Sequence, residues 1–152
     1  MAFRHLGHGE TIEHGVVVDN SVMMRWLFRD GSEEDQRYAR LVLSGLKADS
    51  TPVVAPYLWV YEAAFVVHHY VRKGAISPET GADHLKGLFD LCTVVRGEET
   101  PVALMAFASE HGVSAYDASY VSLARAHRRP IATLDRNMLV AARRLGVTVF
   151  PD

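Results

Sequence analysis

The chain has 152 residues, which suits one domain and leaves too little sequence for two separate cores. Apolar residues make up 49% of it and charged residues 22%, a balance typical of globular domains, so disorder of the whole chain is not expected. The formal net charge of −2 argues against a protein that binds nucleic acid through its overall charge alone.

Three further features narrow the class of protein. The single cysteine, Cys92, excludes an intrachain disulfide framework and a multi-cysteine zinc site. Residues 1–15 are polar, lack the apolar stretch of a signal peptide, and are interpreted as a flexible N-terminal tail. The most apolar segment, 58–67, is too short to cross a bilayer and contains Glu62. We therefore expect a cytoplasmic protein that does not associate with a membrane.

After the tail, the first half of the chain shows two strands, each followed by helical sequence. Three consecutive valines at 16–18 are typical of a strand that is buried on both faces. Ser21 is placed to cap the helix that follows, and Gly74 is placed to end the last one. The predicted elements are a strand at 16–18, helices at 21–29 and 33–48, a strand at 52–56 and a helix at 57–73.

The second half continues the alternation. Ser77-Pro78 and Thr100-Pro101 are both strong helix starts, because each combines a capping hydroxyl with proline at the first helical position. The predicted elements are helices at 77–91, 100–112, 114–127 and 136–145, and strands at 93–95, 131–134 and 147–150. Short buried strands that alternate with helices indicate a three-layer α/β/α fold around a mainly parallel sheet. We predict one such domain over residues 16–152.

Two acidic residues follow predicted strands directly. Asp19 ends the first strand, and Asp135 ends the strand at 131–134. In an open parallel sheet, ligands bind beyond the carboxyl ends of the strands, so both side chains are candidates for one crevice. The alternative is that each aspartate only opens a turn or caps a helix.

Two more acids lie in predicted helices. Glu62 is surrounded by apolar residues, so its carboxylate either stands exposed among them or is buried and needs a cation; a partly buried salt bridge is the structural alternative. Asp117 follows Ser114 by three residues, which matches a capping box and explains the acid without a function. The two roles are compatible, because a carboxylate in the first helical turn keeps an oxygen free.

Taken together, the four acids suggest a site for a divalent metal. Mg²⁺ and similar hard cations prefer oxygen ligands. Carboxylates that crowd together without a cation would repel one another.

The motifs around these acids occur in a recognisable order. The segments are VVVDNS at 16–21, PYLWVYE at 56–62, YDA at 116–118 and ATLD at 132–135. They resemble the successive motifs of PIN domains, and most closely those of VapC-type toxins from toxin–antitoxin pairs. No single motif is specific, but the order and spacing match from about Val16 to the C-terminus.

The resemblance implies a Mg²⁺- or Mn²⁺-dependent endoribonuclease. Its catalytic and metal-binding set would be Asp19, Glu62, Asp117 and Asp135, with Asp19 and Asp117 as the surest metal ligands. Ser21 and Thr133 match hydroxyl positions beside the first and last acids, where they would orient carboxylates or water, or serve only in capping and strand-end bonding. Phe65 is a departure, because members of the family often carry asparagine at that position.

Partners follow from the same resemblance. An acidic cleft repels RNA unless metal and basic side chains compensate, and Arg136, next to Asp135, is the first candidate for contact with RNA or an antitoxin. The resembling toxins form homodimers and bind a small antitoxin protein, so both partners are expected here.

Two other classes of function remain open at this point. One is a non-catalytic binding module with the same fold. The other is a phosphatase or phosphotransfer domain with Asp19 as nucleophile, but the usual second aspartate is replaced by Ser21.

Overall fold

The computed structural model of the chain describes residues 2–7, 9–97 and 99–152. Within them, parallel strands form one sheet in the order β1-β4-β3-β2-β5. The strands are β1 (Ala2–His5), β2 (Val16–Val18), β3 (Val53–Pro56), β4 (Cys92–Arg96) and β5 (Ile131–Ala132). The helices are α1 (Asn20–Leu27), α2 (Glu33–Ala48), α3 (Leu58–Arg72), α4 (Pro78–Leu91), α5 (Pro101–His111), α6 (Ala115–His127) and α7 (Arg136–Arg144).

The strand order creates a switch point beside β2. From β2 the chain adds β3 and then β4 on one side, and it later returns to place β5 on the other side of β2. Crevices that bind ligands form at such points, beyond the carboxyl ends of the strands. All three valines of β2 are buried, as predicted for a central strand. The parallel sheet flanked by helices confirms the predicted α/β fold.

Local sequence signals set most helix starts correctly. Ser77 accepts a hydrogen bond from the backbone N–H of Thr80, and Thr100 accepts one from Ala103, with proline at the start of each helix. The prediction for Ser21 was wrong, because α1 has Asp19 as its N-cap and no side-chain cap. In the part of the chain that the structure describes, no helix is long and apolar enough to span a membrane.

The prediction of a flexible N-terminal tail was also wrong for most of that segment, although residues 1 and 8 lie outside the described residues. Ala2–His5 form the edge strand β1, which pairs with β4. Ile12 is buried, and its backbone N–H donates to Nδ1 of His127 at 3.1 Å. The segment is ordered by contacts with distant parts of the chain, which a search for local patterns does not detect.

The C-terminal strands are shorter than predicted. β5 ends at Ala132, because the Thr133 hydroxyl accepts a hydrogen bond from the backbone N–H of Asp135 and starts the turn into α7. The predicted strand at 147–150 is reduced to a single bridge between Val149 and Ile131.

Candidate active site

Asp19 and Asp135 meet at the switch point of the sheet. β2 and β5 pair up to Val18 and Ala132, and the backbone N–H of Asp19 then donates to the carbonyl of Ala132 at 2.9 Å. The Thr133 hydroxyl donates to Oδ2 of Asp19 at 2.9 Å and accepts from the backbone N–H of Asp135 at 3.0 Å. One buried hydroxyl therefore links the carboxylate of Asp19 to the backbone of Asp135.

Asp19 is the most buried of the four acids, with 6% of its surface exposed. A second hydroxyl, that of Ser21, donates to the same Oδ2 at 2.7 Å and accepts from the backbone N–H of Leu134. Burial raises the pKa of Asp19, and the nearby charge of Asp117 raises it further, while the bonds from Ser21 and Thr133 lower it. Both side-chain donors act on one oxygen, so Oδ1 keeps its lone pairs free of them.

Glu62 lies on α3, half-buried, with a hydroxyl as its partner. The phenol O–H of the fully buried Tyr120 donates to Oε1 of Glu62 at 2.7 Å. Burial is the main cause that raises the pKa of Glu62 to about 6, and the charges of Asp19 and Asp117 add to it. Among the described residues Glu62 forms no salt bridge, so the alternative of a partly buried salt bridge does not apply.

Asp135 caps a helix, as its structural alternative predicted, whereas the capping box predicted for Asp117 is only half formed: among the described residues its carboxylate makes no return bond to the Ser114 backbone. Ser114 accepts a hydrogen bond from the backbone N–H of Asp117 at 3.0 Å. Burial raises the pKa of Asp117, and the charge of Asp135 raises it further. Asp135 caps α7, since its Oδ1 accepts from the backbone N–H of Met138 at 2.9 Å. These caps leave carboxylate oxygens available.

The four carboxylates are near enough to perturb one another without forming a finished coordination sphere. The charge of Asp117 affects both Asp19 and Glu62, and the charge of Asp135 affects Asp117. Throughout residues 2–7, 9–97 and 99–152, no three His, Cys, Asp or Glu side chains are close enough to hold one ion as they stand.

The residues fit a hard divalent cation. All four candidate ligands are carboxylates, which suit Mg²⁺ and Mn²⁺ better than softer metals. Beside Asp19, the buried Asn20 has a side-chain oxygen with no hydrogen-bond partner. Buried polar atoms are usually satisfied, so this oxygen, next to a predicted ligand, fits a site that takes a hydrated cation.

Sequence reasoning missed Tyr120 and Asn20. Tyr120 follows Asp117 by three residues, so both lie on one face of α6. A buried tyrosine needs a partner for its hydroxyl, and that requirement was the available signal. The partner, Glu62, lies 58 positions away and could not be inferred from local spacing. Nothing local distinguished Asn20 from an ordinary first helical residue.

The remaining predicted residues lie at the margin of the site. Arg136 is exposed and lines a pocket of about 310 Å³ that also includes Tyr38 and Thr133. Phe65, where asparagine is common in the resembling family, is 76% exposed on α3.

Comparison with known proteins identifies the family. The model of the PIN domain family matches residues 16–144, so the chain belongs to the PIN domain family. PIN domains are generally nucleases that use divalent metal ions. No curated protein matches with significant similarity.

Two solved structures share the fold. The chain is similar to PAE2754 from Pyrobaculum aerophilum, with a TM-score of 0.65 and 20% identity over 93% of this chain and 88% of that one. It is also similar to FitAcB from Neisseria gonorrhoeae, with a TM-score of 0.51 and 20% identity over 89% of this chain and 96% of that one. At this identity the likeness concerns the fold.

Proposed function

We propose that this chain is a Mg²⁺- or Mn²⁺-dependent endoribonuclease and the toxin component of a type II toxin–antitoxin pair in the cytoplasm. The observation that carries the proposal is the buried Asp19 carboxylate, which two hydroxyls hold at the switch point of the sheet within the field of other acids. A buried carboxylate with a raised pKa is costly to keep, which favours a functional role over a structural one. The order of the motifs supports the choice of RNA as substrate.

Each side chain has a role that its contacts support. Asp19 and Asp117 would be the principal metal ligands, with Glu62 and Asp135 completing the acidic set. When bound, the cation would lower the pKa of a water and offset negative charge on the phosphate. Thr133 fixes the orientation of Asp19 and the start of the turn that carries Asp135, so these two acids would keep their relative positions.

Tyr120 has a corresponding role for Glu62. Its hydroxyl donates to one oxygen of that carboxylate and leaves the other free to accept a proton or to bind a metal-coordinated water. The pKa of Glu62, raised to about 6, lies close to neutral pH, where a general base works well. The ring itself is fully buried, so it holds Glu62 from the side of the core.

The test is metal-dependent cleavage. Wild-type protein should cut single-stranded RNA with Mg²⁺ or Mn²⁺ and stop in chelator. Asp19→Asn should lose at least about 100-fold in rate, a typical scale for electrostatic groups of an active site. Asp83→Asn, which removes an exposed aspartate on α4, is the matched control and should cleave like wild type. Cleavage that continues unchanged in chelator would contradict the metal mechanism, and wild type that binds RNA but never cuts it would indicate a non-catalytic module.

The proposed partners are a second copy and a small antitoxin. Large apolar side chains are exposed on α3, α5 and α6, as a subunit interface would require; they are Tyr61, Phe65, Val102, Met105 and Tyr116. An antitoxin that inserts a basic side chain among the acids, near Arg136, would inactivate the site. Light scattering should give the mass of a dimer, and Met105→Asp should shift the protein to monomer. A wild-type monomer that binds no product of an adjacent gene would contradict this assembly.

A further inference from the structure

One groove formed by the described residues is rich in arginine. It lies between the end of α1 and the first half of α2, with a volume of about 890 Å³. Four arginines line it, Arg25, Arg29, Arg37 and Arg40, and we call it the arginine groove. Within that lining, Glu33 is the one acid.

None of the four guanidinium groups forms a salt bridge: over residues 2–7, 9–97 and 99–152, none of them lies within 4.0 Å of a carboxylate oxygen. Arg29, Arg37 and Arg40 are exposed and Arg25 is partly exposed. In a chain with a net charge of −2, the lining of this groove carries four positive side chains against one negative one, because the neighbouring Asp30, Glu34 and Asp35 do not line it. Such a surface attracts a polyanion by a local field that the net charge does not reveal.

The groove and the acid site share structural elements. α1 begins directly after Asp19, and Arg25 lies six residues further on, about 9 Å along the helix axis at 1.5 Å per residue. Arg37 precedes Tyr38 on α2, and Tyr38 lines the same pocket as Thr133, which holds Asp19. The groove and the acids are therefore connected through α1 and α2.

We propose that the arginine groove binds the phosphate backbone of the RNA on one side of the cleavage position. The choice of RNA rests on the proposed function. Four carboxylates repel a phosphodiester chain, so a substrate that reaches them needs positive charge close by, and guanidinium groups match phosphate oxygens in pairs. Trp26 adds a partly exposed indole, on which a base would stack. The indole N–H donates to the carbonyl of Ala39 at 2.8 Å, which fixes the ring in place.

The test compares two double variants with the same change in charge. Arg37→Gln with Arg40→Gln removes half of the groove charge. Arg125→Gln with Arg128→Gln is the control, because these exposed arginines line a second basic pocket, before β5 at the amino end of the sheet, so the comparison separates the position of the charge from its amount. Binding of a labelled single-stranded RNA is followed by fluorescence anisotropy in chelator over a range of salt concentrations. Thermal unfolding checks that both variants are folded.

The groove variant should bind RNA at least about tenfold more weakly than wild type. Its plot of log affinity against log salt concentration should be shallower by about 1.4, because each of the two lost contacts to single-stranded phosphate contributes about 0.7 to the slope. The control should keep the wild-type slope. Equal losses of RNA affinity in the two variants would overturn the proposal. Binding of decaglutamate, a polyanion without phosphate, is measured as well. A groove variant that loses affinity for decaglutamate but not for RNA would also overturn the proposal. Cleavage is measured separately: absence of metal-dependent cleavage would overturn the proposed function and leave the difference in binding intact.

Discussion

Replacing Glu62 by glutamine is expected to stabilise the metal-free protein at alkaline pH. The carboxylate of Glu62 is half-buried and lies in the field of Asp19 and Asp117, with Tyr120 as its hydrogen-bond donor. These surroundings raise its pKa from 4.5 to about 6, so the folded protein holds an ionised group where a neutral one is favoured. Glutamine has the same shape, still accepts from Tyr120, and carries no charge.

The size of the effect follows from the shift in pKa. At about 1.4 kcal/mol per pKa unit, the whole shift corresponds to about 2 kcal/mol. Partial exposure screens the carboxylate, so about 1 kcal/mol is the better expectation. For a domain of this size, that is a rise of about 2–4 °C in melting temperature.

The sign depends on pH. Because the pKa is higher in the folded state than the ordinary 4.5, Glu62 destabilises the fold only where it is ionised. Below pH 4.5 the side chain is protonated in both states and costs nothing. As the pH rises from 4.5 to about 6 the penalty develops, and above that it is fully present.

The assay is thermal unfolding in chelator at pH 4.5 and pH 8, with Glu13→Gln, an exposed position outside the helices, as the control. Glu62→Gln should melt above wild type at pH 8 and together with it at pH 4.5, whereas the control should show no such pH dependence. A Glu62→Gln variant that melts at or below wild type at pH 8 would refute the reasoning, because Glu62 would then be stabilising as a charged group.

Three further predictions concern its neighbours. Tyr120→Phe should lower stability by about 1–2 kcal/mol at pH 8, because ionised Glu62 loses its donor; an unchanged denaturant midpoint would show that the bond contributes nothing. Asp19→Asn should melt higher than wild type in chelator, since it removes a desolvated charge. A hundredfold excess of Mg²⁺ over its dissociation constant should stabilise the wild type against unfolding by about 2.7 kcal/mol. If Mg²⁺ stabilises Asp19→Asn by as much, Asp19 is not a ligand. Thr133→Val should weaken Mn²⁺ binding by about 10-fold or more in calorimetry, whereas the exposed Thr148→Val should bind like wild type.

The fold could be predicted as far as local signals determine it. The valines of β2 and the Ser77-Pro78 and Thr100-Pro101 helix starts are satisfied by neighbouring residues, so sequence alone located them. β1 was missed because its short AFRH segment becomes a strand only by pairing with β4. Its partner lies about 90 positions away, beyond the reach of any pattern in the segment itself.

The candidate site was selected from similar signals. Asp19 and Asp135 follow strands and Glu62 lies in an apolar helix, whereas Asp117 was chosen from the order of the motifs. The structure places all four within range of another's charge. The hydroxyl contacts were not predictable, since those from Thr133 and Tyr120 to the acids cross 114 and 58 positions. Ser21 shows the limit most clearly: its place in the sequence favoured a helix cap, but the depth of Asp19 gives its hydroxyl a charged acceptor instead.

The small net charge of the chain conceals a division of charge that suits the proposed reaction. Asp19 directly follows β2 and Asp135 lies shortly after β5, while the arginine groove begins about two turns along α1. Under the proposed function, the metal-free acids would oppose an RNA that the arginines attract. A divalent cation that neutralises the acids would remove this opposition, so RNA and metal would favour each other's binding. Because such coupling is reciprocal, bound RNA would strengthen the metal site by the same factor. On this proposal, the balance of charge near the site, rather than the sum over the chain, would determine whether the protein binds RNA.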